Sequence, residues 1–198
     1  EYGYSVFSTV FYAEFLNKKL NVIDCPGADD FIGGALTAMN VTDTGVIVID
    51  SQYGVEVGTQ NIFRYTEEMQ KPVIFAMNQL DGEKADYDAV IEQLREDFGS
   101  KVVPIQYPIV SGPNFNAMID VLLMKMYSWG PDGGTPTISD IPADQKEKAL
   151  ELHKQLVEAA AENDEALMEK FFDKGTLTED EMREGIRKGL ITRDIFPV

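Results

Sequence analysis

The sequence has little of what marks secreted, membrane-spanning or metal-binding proteins. It contains one cysteine, Cys25, so no intrachain disulfide can form. No apolar run reaches the ~20 residues that a membrane-spanning helix needs, and the N-terminus lacks the basic-then-apolar pattern of a signal peptide. The one histidine, His153, has no second histidine or cysteine nearby, so we predict a surface side chain and neither a metal ligand nor a general base. We expect a cytoplasmic protein that does not contact a membrane.

Basic residues are also scarce. The 198 residues include 17 Lys and Arg against 34 Asp and Glu, which gives a formal net charge of -17. A negative field of this size opposes direct binding to nucleic-acid phosphates. We therefore expect no direct nucleic-acid contact, and any work near RNA should be done through protein surfaces.

Two further features are missing from the sequence. It has no initiator methionine and opens directly into the segment 2–6, so we expect it to belong to a longer protein. It also has no Gly-rich turn followed by Lys and Ser or Thr at the start of a helix, which is the phosphate-binding P-loop. The hydrophobic fraction of 44% is nevertheless ordinary for a chain that buries a core.

Short apolar segments alternate with helical patterns over residues 1–101. Segments 6–15 and 20–23 predict a β-hairpin, because they are rich in β-branched and aromatic residues. The continuous apolar runs 45–49 and 73–77 are typical of central parallel strands. Together they predict the α/β class, with a mostly parallel sheet. The predicted helices are 31–41, 59–70 and 86–98.

The pattern changes after Lys101. Segments 102–109 and 117–129 predict strands, or a strand with a short helix, and Gly130–Gly134 predicts a loop. A helical block follows, in which Leu150, Leu156 and Val157 are predicted to line one face and Thr178 with Glu181 to form a capping box. We predict an α+β subdomain at 102–193, inserted into an α/β domain that comprises 1–101 and resumes at 194–198. The predicted helices of the block are 142–163, 164–172 and 178–189.

Polar turns follow the predicted strands, where ligands bind in α/β sheets. A carboxylate such as Asp24 can hold Mg²⁺ through water, since hard cations prefer oxygen ligands. Gly27 exposes a backbone N–H to a phosphate because no side chain blocks the approach. Asp81 can accept the two hydrogen bonds that the N1–H and N2–H₂ groups of guanine donate, and adenine offers no such pair. These residue types suit a guanine nucleotide with Mg²⁺, and the resemblance of the two turns to a known family, given next, implies such a site.

The segments Asp24-Cys25-Pro26-Gly27 and Asn78-Gln79-Leu80-Asp81 resemble the DxPG and NKxD motifs of translational GTPases. Later segments resemble the insert of elongation factor G, so the chain resembles that family over almost its whole length. The resemblance implies a P-loop-GTPase-type sheet whose first strand lies upstream of Glu1. It also implies GTP or GDP and Mg²⁺ as ligands of the intact protein. The insert-like segments are 121–129, 141–143, 157–162, 167–170 and 177–179.

The resemblance also assigns roles to individual residues. It implies that Ser5 and Asp24 hold Mg²⁺ in the intact protein. Where the family has a water-positioning histidine the chain has Ala28, and where it has an arginine before the magnesium ligand the chain has Tyr2. We therefore expect slow or absent GTP hydrolysis, unless another residue orients the water. The nucleotide-binding residues implied are Asp24, Gly27, Asn78, Gln79 and Asp81, with Gln79 replacing the family lysine.

The expected function is that of a fragment of an elongation factor G-like GTPase acting in ribosomal translocation. The alternatives are a ribosome-binding factor with a non-catalytic nucleotide switch and a ribosomal-protection factor. The resemblance implies the ribosome as partner, with the insert facing the stalk protein. Without a P-loop, these residues alone should bind GTP weakly or not at all. Without the first strand of the fold, the strands predicted at 20–23 and 45–49 should each expose an edge. We therefore expect these strands to pair with each other, another segment to fill the gap between them, or two copies of the chain to pair through these edges.

Overall fold

The computed structural model describes residues 5–198. It begins with the predicted hairpin, in which β1 (Thr9–Phe15) and β2 (Lys18–Asp24) pair antiparallel, with Thr9 opposite Asp24. The two turn residues, Leu16 and Asn17, have left-handed backbones with φ of 46° and 59°. Every residue of β1 is exposed, so local pattern and turn geometry, not burial, define this hairpin.

The α/β class is confirmed by the elements that follow. A 3-10 turn (Asp29–Phe31) leads into helix α1 (Ile32–Val41). Strands β3 (Gly45–Asp50) and β4 (Val73–Asn78) are parallel neighbours, connected by α2 (Val57–Glu68). Helix α3 (Tyr87–Phe98) follows β4, with an N-cap bond in which the Asp86 carboxylate accepts from the Ala89 N–H, and with Gly99 as C-cap.

Aromatic rings hold this α/β part together. Phe75 on β4 is 1% exposed, and its ring centroid lies 5.3 Å from that of Phe98 on α3. Phe63 on α2 lies 4.1 Å from Phe98 and 5.3 Å from Phe196. The helices therefore cover the sheet through stacked and edge-on rings, an arrangement that adds to the stability from buried area alone.

The second half begins with a parallel pair. Strand β5 (Val102–Val103) pairs with β10 (Phe196–Pro197) at the end of the chain. Between them lies an antiparallel sheet in the order β6-β7-β8-β9. Its strands are β6 (Gln106–Pro108), β7 (Ala117–Asp120), β8 (Lys125–Gly130) and β9 (Gly133–Ser139).

The loop predicted over Gly130–Gly134 is shorter than expected, and that prediction was wrong at both ends. Gly130 pairs with Gly133, so only Pro131 and Asp132 form the turn from β8 to β9. Gly133 and Gly134 adopt φ of 70° and 90°. Glycine can adopt these angles inside a strand ladder, so a glycine cluster does not by itself separate a loop from a tight hairpin.

Three helices complete the chain: α4 (Lys146–Ala161), α5 (Glu165–Lys174) and α6 (Glu179–Thr192). The predicted capping box at Thr178 and Glu181 is confirmed. Placing Leu150 with Leu156 on the buried face of α4 was wrong, because Leu150 is 60% exposed. Ala149, fully buried, takes that place in the stripe, and Leu150 lies about 100° round the helix from it.

His153 on α4 also differs from its prediction as a surface residue. Its side chain is half-buried, and Nδ1 lies 2.7 Å from the Val121 carbonyl oxygen. The ring therefore connects α4 to the end of β7, a role that the surrounding Glu and Lys residues of the sequence did not indicate. Among residues 5–198, the helices lack the combination of length and apolar character that a membrane span requires.

One buried cluster runs through both halves of the chain. It extends from Phe75 and Leu94 to Tyr107, Leu156 and Met182. Polar contacts reinforce the junction: Lys148 of α4 pairs with Asp88 of α3 at 2.8 Å. The division into 1–101, 102–193 and 194–198 stays a prediction.

The sequence analysis expected the exposed edges of β2 and β3 to pair with each other, with another segment of the chain, or with a second copy. In the described part of the chain, β2 is hydrogen-bonded only to β1, and β3 only to β4. Closure of the sheet and filling by another segment were therefore wrong for residues 5–198. On β3, Val46 and Val48 are 59% and 61% exposed, so pairing between copies stays a prediction.

Candidate functional site

The first group of predicted site residues lies where β3 and β4 end. Their parallel pairing places Asp50 opposite Asn78, so the loops after both strands share one edge of the sheet. Ser51, which the sequence analysis did not select, joins the loops. Its backbone N–H donates to the Asn78 carbonyl at 3.0 Å and its Oγ–H to the Gln79 carbonyl at 2.7 Å. Ser51 is 1% exposed, so these bonds are shielded from water.

The loop after β4 is a tight turn that presents polar side chains. The Gly82 N–H donates to the Gln79 carbonyl at 2.9 Å, and Gln79 has a left-handed φ of 56°. Leu80 is buried, and its carbonyl accepts from the Gly112 N–H at 2.7 Å. Leu80 therefore anchors the loop to the core. The predicted ligand-binding side chains, Asn78, Gln79 and Asp81, are exposed.

Gln52 is a second residue that the sequence analysis did not identify. Its backbone N–H donates to Asp50 Oδ1 at 2.8 Å, and its side-chain Nε2 donates to Gln79 Oε1 at 3.1 Å. No sequence motif marks Gln52 or Ser51. The only signal was their position directly after the apolar strand that ends at Asp50, within a loop predicted to reach the site.

The other predicted group lies at the end of β2. Asp24 is exposed at the last position of the strand, and Pro26 is buried below the turn. Gly27 is exposed, and no heavy atom of residues 5–198 lies within 4 Å of where a Cβ would stand. Its surroundings are therefore open, as phosphate contact by a backbone N–H requires. Cys25 is half-buried in this turn, with its sulfur 3.7 Å from the Ile23 carbonyl oxygen.

Ala28 follows this turn and caps the 3-10 turn, where its carbonyl accepts from the Phe31 N–H at 2.9 Å. Its side chain is exposed and carries no donor or acceptor. Asp29, next in sequence, lies beside the start of α2: its Oδ1 is 3.2 Å from the place of a Cβ on Gly58. Helix α2 begins seven residues after β3 ends at Asp50, so Asp29 lies near the far end of the loop that leads from that edge to α2.

The described contacts join the loops in series: 24–29 to the start of α2, and the loop after β3 to the loop after β4. They do not join Asp24 or Gly27 directly to Asn78 or Asp81. The assignment of both turns to one nucleotide site therefore stays a prediction.

Two predicted residues lie near the start of the chain. Ser5 is exposed, whereas Tyr2 lies outside the described residues. Within 5–198 no cluster of His, Cys, Asp and Glu could hold a metal by itself. Mg²⁺ is commonly held by one or two protein oxygens together with nucleotide phosphates and waters. The Ser5 hydroxyl and the Asp24 carboxylate are exposed oxygen donors of the type that mode requires.

Two comparisons with known proteins show what this chain is similar to. A family model described as the elongation factor Tu GTP binding domain matches residues 1–190. A crystal structure of a protein from Thermus thermophilus superposes with a TM-score of 0.89 at 26% sequence identity. The match covers 98% of this chain but 29% of the Thermus protein, so the chain spans under a third of that protein's length.

Proposed function

Since this chain belongs to the elongation factor Tu GTP-binding domain family, we propose that it carries the base-recognition and switch loops of an elongation factor G-like translational GTPase. The observation that carries the proposal is the loop after β4. Ser51, Gly82 and Gly112 hydrogen-bond its backbone, while Asp81 is exposed at its end. We propose that the longer protein binds GTP and GDP with Mg²⁺ and acts on the ribosome in the cytoplasm.

Base recognition follows from the chemistry of Asp81. Its carboxylate accepts from N1–H and N2–H₂ of guanine, and a base without this donor pair leaves the carboxylate unpaired. Asn78 bonds the base or the neighbouring loops. Gln79 is shorter than the lysine of the family motif and uncharged, so we propose weaker contact with the face of the base.

The opposite end of the nucleotide would lie at the turn after β2. Gly27 would present its backbone N–H to the terminal phosphate, and the Ser5 hydroxyl and the Asp24 carboxylate would hold Mg²⁺. The metal, when bound, neutralises charge that develops on the phosphates during transfer. A P-loop supplies most phosphate contacts in such sites, so the 198 residues alone should bind GTP weakly or not at all.

Ala28 leads us to propose slow or absent hydrolysis. The alanine methyl group cannot orient a water for attack on the terminal phosphate. A second function, a ribosome-binding factor whose nucleotide acts as a switch without useful catalysis, is favoured by this same residue. A ribosomal-protection factor is less favoured because segments 121–129 and 157–162 resemble the elongation factor G insert.

The experiment is a GTPase assay of the full-length protein with and without ribosomes, for the wild type and Ala28→His. The proposal expects wild-type turnover at least about a hundredfold below an ordinary ribosome-stimulated elongation factor G, and a gain in Ala28→His. Wild-type turnover equal to the ordinary factor would overturn slow hydrolysis. Absence of ribosome binding would overturn the translational role.

We propose that the insert contacts the ribosomal stalk protein. The acidic residues around the junction of α4 and α5 suit a basic partner surface, and Phe172 on α5 is 78% exposed. These acidic residues are Glu158, Glu162, Asp164 and Glu165. The acidic surface opposes direct RNA contact.

We also propose self-association of the 198-residue chain through β2 and β3. Within residues 5–198, β2 and β3 each have one edge without a partner strand, and Val46 and Val48 on β3 are exposed. Both features favour edge-to-edge pairing between copies. Sedimentation over a range of concentrations tests this, and a monomer at all concentrations would contradict it.

A further inference from the structure

Gln52 lies between the loop after β3 and the loop after β4, and its environment is more specific than that of an ordinary surface glutamine. Its backbone N–H is fixed by the Asp50 carboxylate at 2.8 Å. Its side-chain Nε2 donates to Gln79 Oε1 at 3.1 Å. The main chain and the side chain of Gln52 therefore both take part in the connection between the two loops.

Gly82 forms the other wall of this contact. A Cβ at position 82 would lie 2.4 Å from Gln52 Cδ and 2.8 Å from its Nε2, closer than real Cβ contacts allow. The absence of a side chain at Gly82 is what lets the Gln52 amide lie against the turn. The Gly82 N–H also closes that turn on the Gln79 carbonyl at 2.9 Å.

Gln79 needs this support more than most residues. Its φ of 56° is left-handed, a conformation that costs a residue other than glycine free energy unless its surroundings hold it. Ser51 holds its carbonyl at 2.7 Å, and Gln52 holds its side chain. Asp81, two residues further along the same turn, depends on this geometry to reach a base.

We propose that Gln52 is a positioning residue for guanine recognition: with Gly82 leaving room for its amide, it fixes Gln79 and thereby the orientation of Asp81. The inference rests on the proposed function and deepens it, because it names a determinant of base choice outside the 78–81 motif. Gln79 occupies the position of the charged lysine in the family motif, and its neutral amide pairs with the amide of Gln52.

The test uses equilibrium binding of GDP and of inosine diphosphate, with Mg²⁺, to the full-length protein. Hypoxanthine lacks the N2 amino group, so Asp81 makes two bonds to GDP and one to inosine diphosphate. The ratio of the two affinities reports the orientation of Asp81, and a general loss of stability would lower both affinities together.

Gln52→Ala should weaken GDP binding threefold to tenfold, the equivalent of one side-chain hydrogen bond, and inosine diphosphate binding less. Gly82→Ala should have the same effect, since its Cβ displaces the Gln52 amide. The double variant Gln52→Ala with Gln79→Ala should bind GDP no more weakly than Gln79→Ala alone, because Gln52 acts through Gln79. Gln60→Ala is the control: it removes a side-chain bond of 3.2 Å from α2 to Asp97 on α3 and should leave the ratio unchanged.

Amide hydrogen exchange gives a readout that does not require nucleotide. Gln52→Ala should speed exchange at the Gly82 amide while the amides of α3 keep wild-type rates. Two results would overturn this inference and leave the proposed function standing. One is a ratio of GDP affinity to inosine diphosphate affinity that stays at the wild-type value in both Gln52→Ala and Gly82→Ala. The other is a loss of GDP-binding free energy in the double variant that equals the sum of the two single losses. Failure of the wild type to bind GDP would overturn the proposed function and this inference with it.

Discussion

The N-terminal hairpin and the β3–β4 region are both two-stranded pairs, yet different interactions stabilise them. In the hairpin every residue of β1 is exposed, and Phe15 at its end is 65% exposed. In β4, Val73 and Phe75 are at most 1% exposed, and α2 and α3 cover them. The hairpin depends on its ladder and turn, whereas β3 and β4 depend on the packed core.

The contrast suggests how stability and ligand contact are divided. The packed region provides the fixed edge from which the loop after β4 projects. The hairpin carries Asp24 at its end, on a strand that buries little apolar area. Regions with few buried contacts open locally at low free-energy cost, and switching segments are drawn from such regions. The switch end of the proposed site therefore lies on the less stable part of the chain.

The largest expected effect is on the free energy of unfolding, when replacement of a phenylalanine in the core is compared with replacement of one in the hairpin. Phe75→Ala should lower the free energy of unfolding by about 3–5 kcal/mol, because it leaves a cavity among Phe63, Phe98 and Phe196. The matched change Phe15→Ala should alter it by no more than about 0.5 kcal/mol. Urea denaturation measures both. Similar losses at the two positions would contradict the division.

The next effect concerns the contact between α4 and α6. A Cβ on Gly185 would lie 2.3 Å from the Ala160 carbonyl oxygen, a backbone atom that cannot move freely. Gly185→Ala should therefore cost about 1–3 kcal/mol by overpacking. Gly33→Ala is the control, since no atom of residues 5–198 lies within 4 Å of its Cβ position. There alanine should stabilise α1 by up to about 1 kcal/mol. Denaturation midpoints that move in the same direction for both variants would contradict the packing argument.

The smallest effect is a pH dependence at α6. The Lys170 ammonium, 2.6 Å away, and bonds from Thr178 lower the pKa of Glu181 to about 2 from an ordinary value of 4.5. Because the pKa of Glu181 is lower in the folded state than in the unfolded state, its ionised carboxylate stabilises the fold at pH values above about 4.5. This stabilisation is lost as the pH falls from about 4.5 to about 2. Glu181→Gln should flatten this part of the stability–pH curve.

The control for that experiment is Glu92→Gln, which removes a charge from the exposed face of α3. It should leave the acid slope closer to the wild-type slope than Glu181→Gln does. Stability measured by thermal unfolding between pH 2 and pH 5 compares the three proteins. An acid slope in Glu181→Gln as steep as in the wild type would show that the α5–α6 contact is not the source.

The sequence predicted most elements because their signals are local. The alternation of apolar runs with helical spacing predicted β3, β4 and α3, and the pair Thr178 and Glu181 predicted the start of α6. The predictions that failed at Leu150 and His153 depended on tertiary contacts. Leu150 has the spacing of a core residue, but the packed surface meets α4 at Ala149 instead.

For the candidate site, sequence reasoning selected the residues whose side chains are exposed and missed those that support them. Asp81 and Gly27 follow from ligand chemistry, because carboxylates and bare backbone amides suit guanine and phosphate. Ser51 and Gln52 act on other residues of the protein, at 2.7 Å and 3.1 Å from Gln79. Such roles become visible only when two loops distant in sequence are placed together.

The most direct test of the account is base preference in the full-length protein carrying Asp81→Asn. An asparagine amide offers one acceptor and one donor, which matches the N1–H and the C2 carbonyl of xanthine and no longer matches the two donors of guanine. The account predicts that the wild type prefers GDP to xanthosine diphosphate by at least tenfold and that the variant reverses this preference. A variant that binds both nucleotides as the wild type does would show that this loop does not recognise the base.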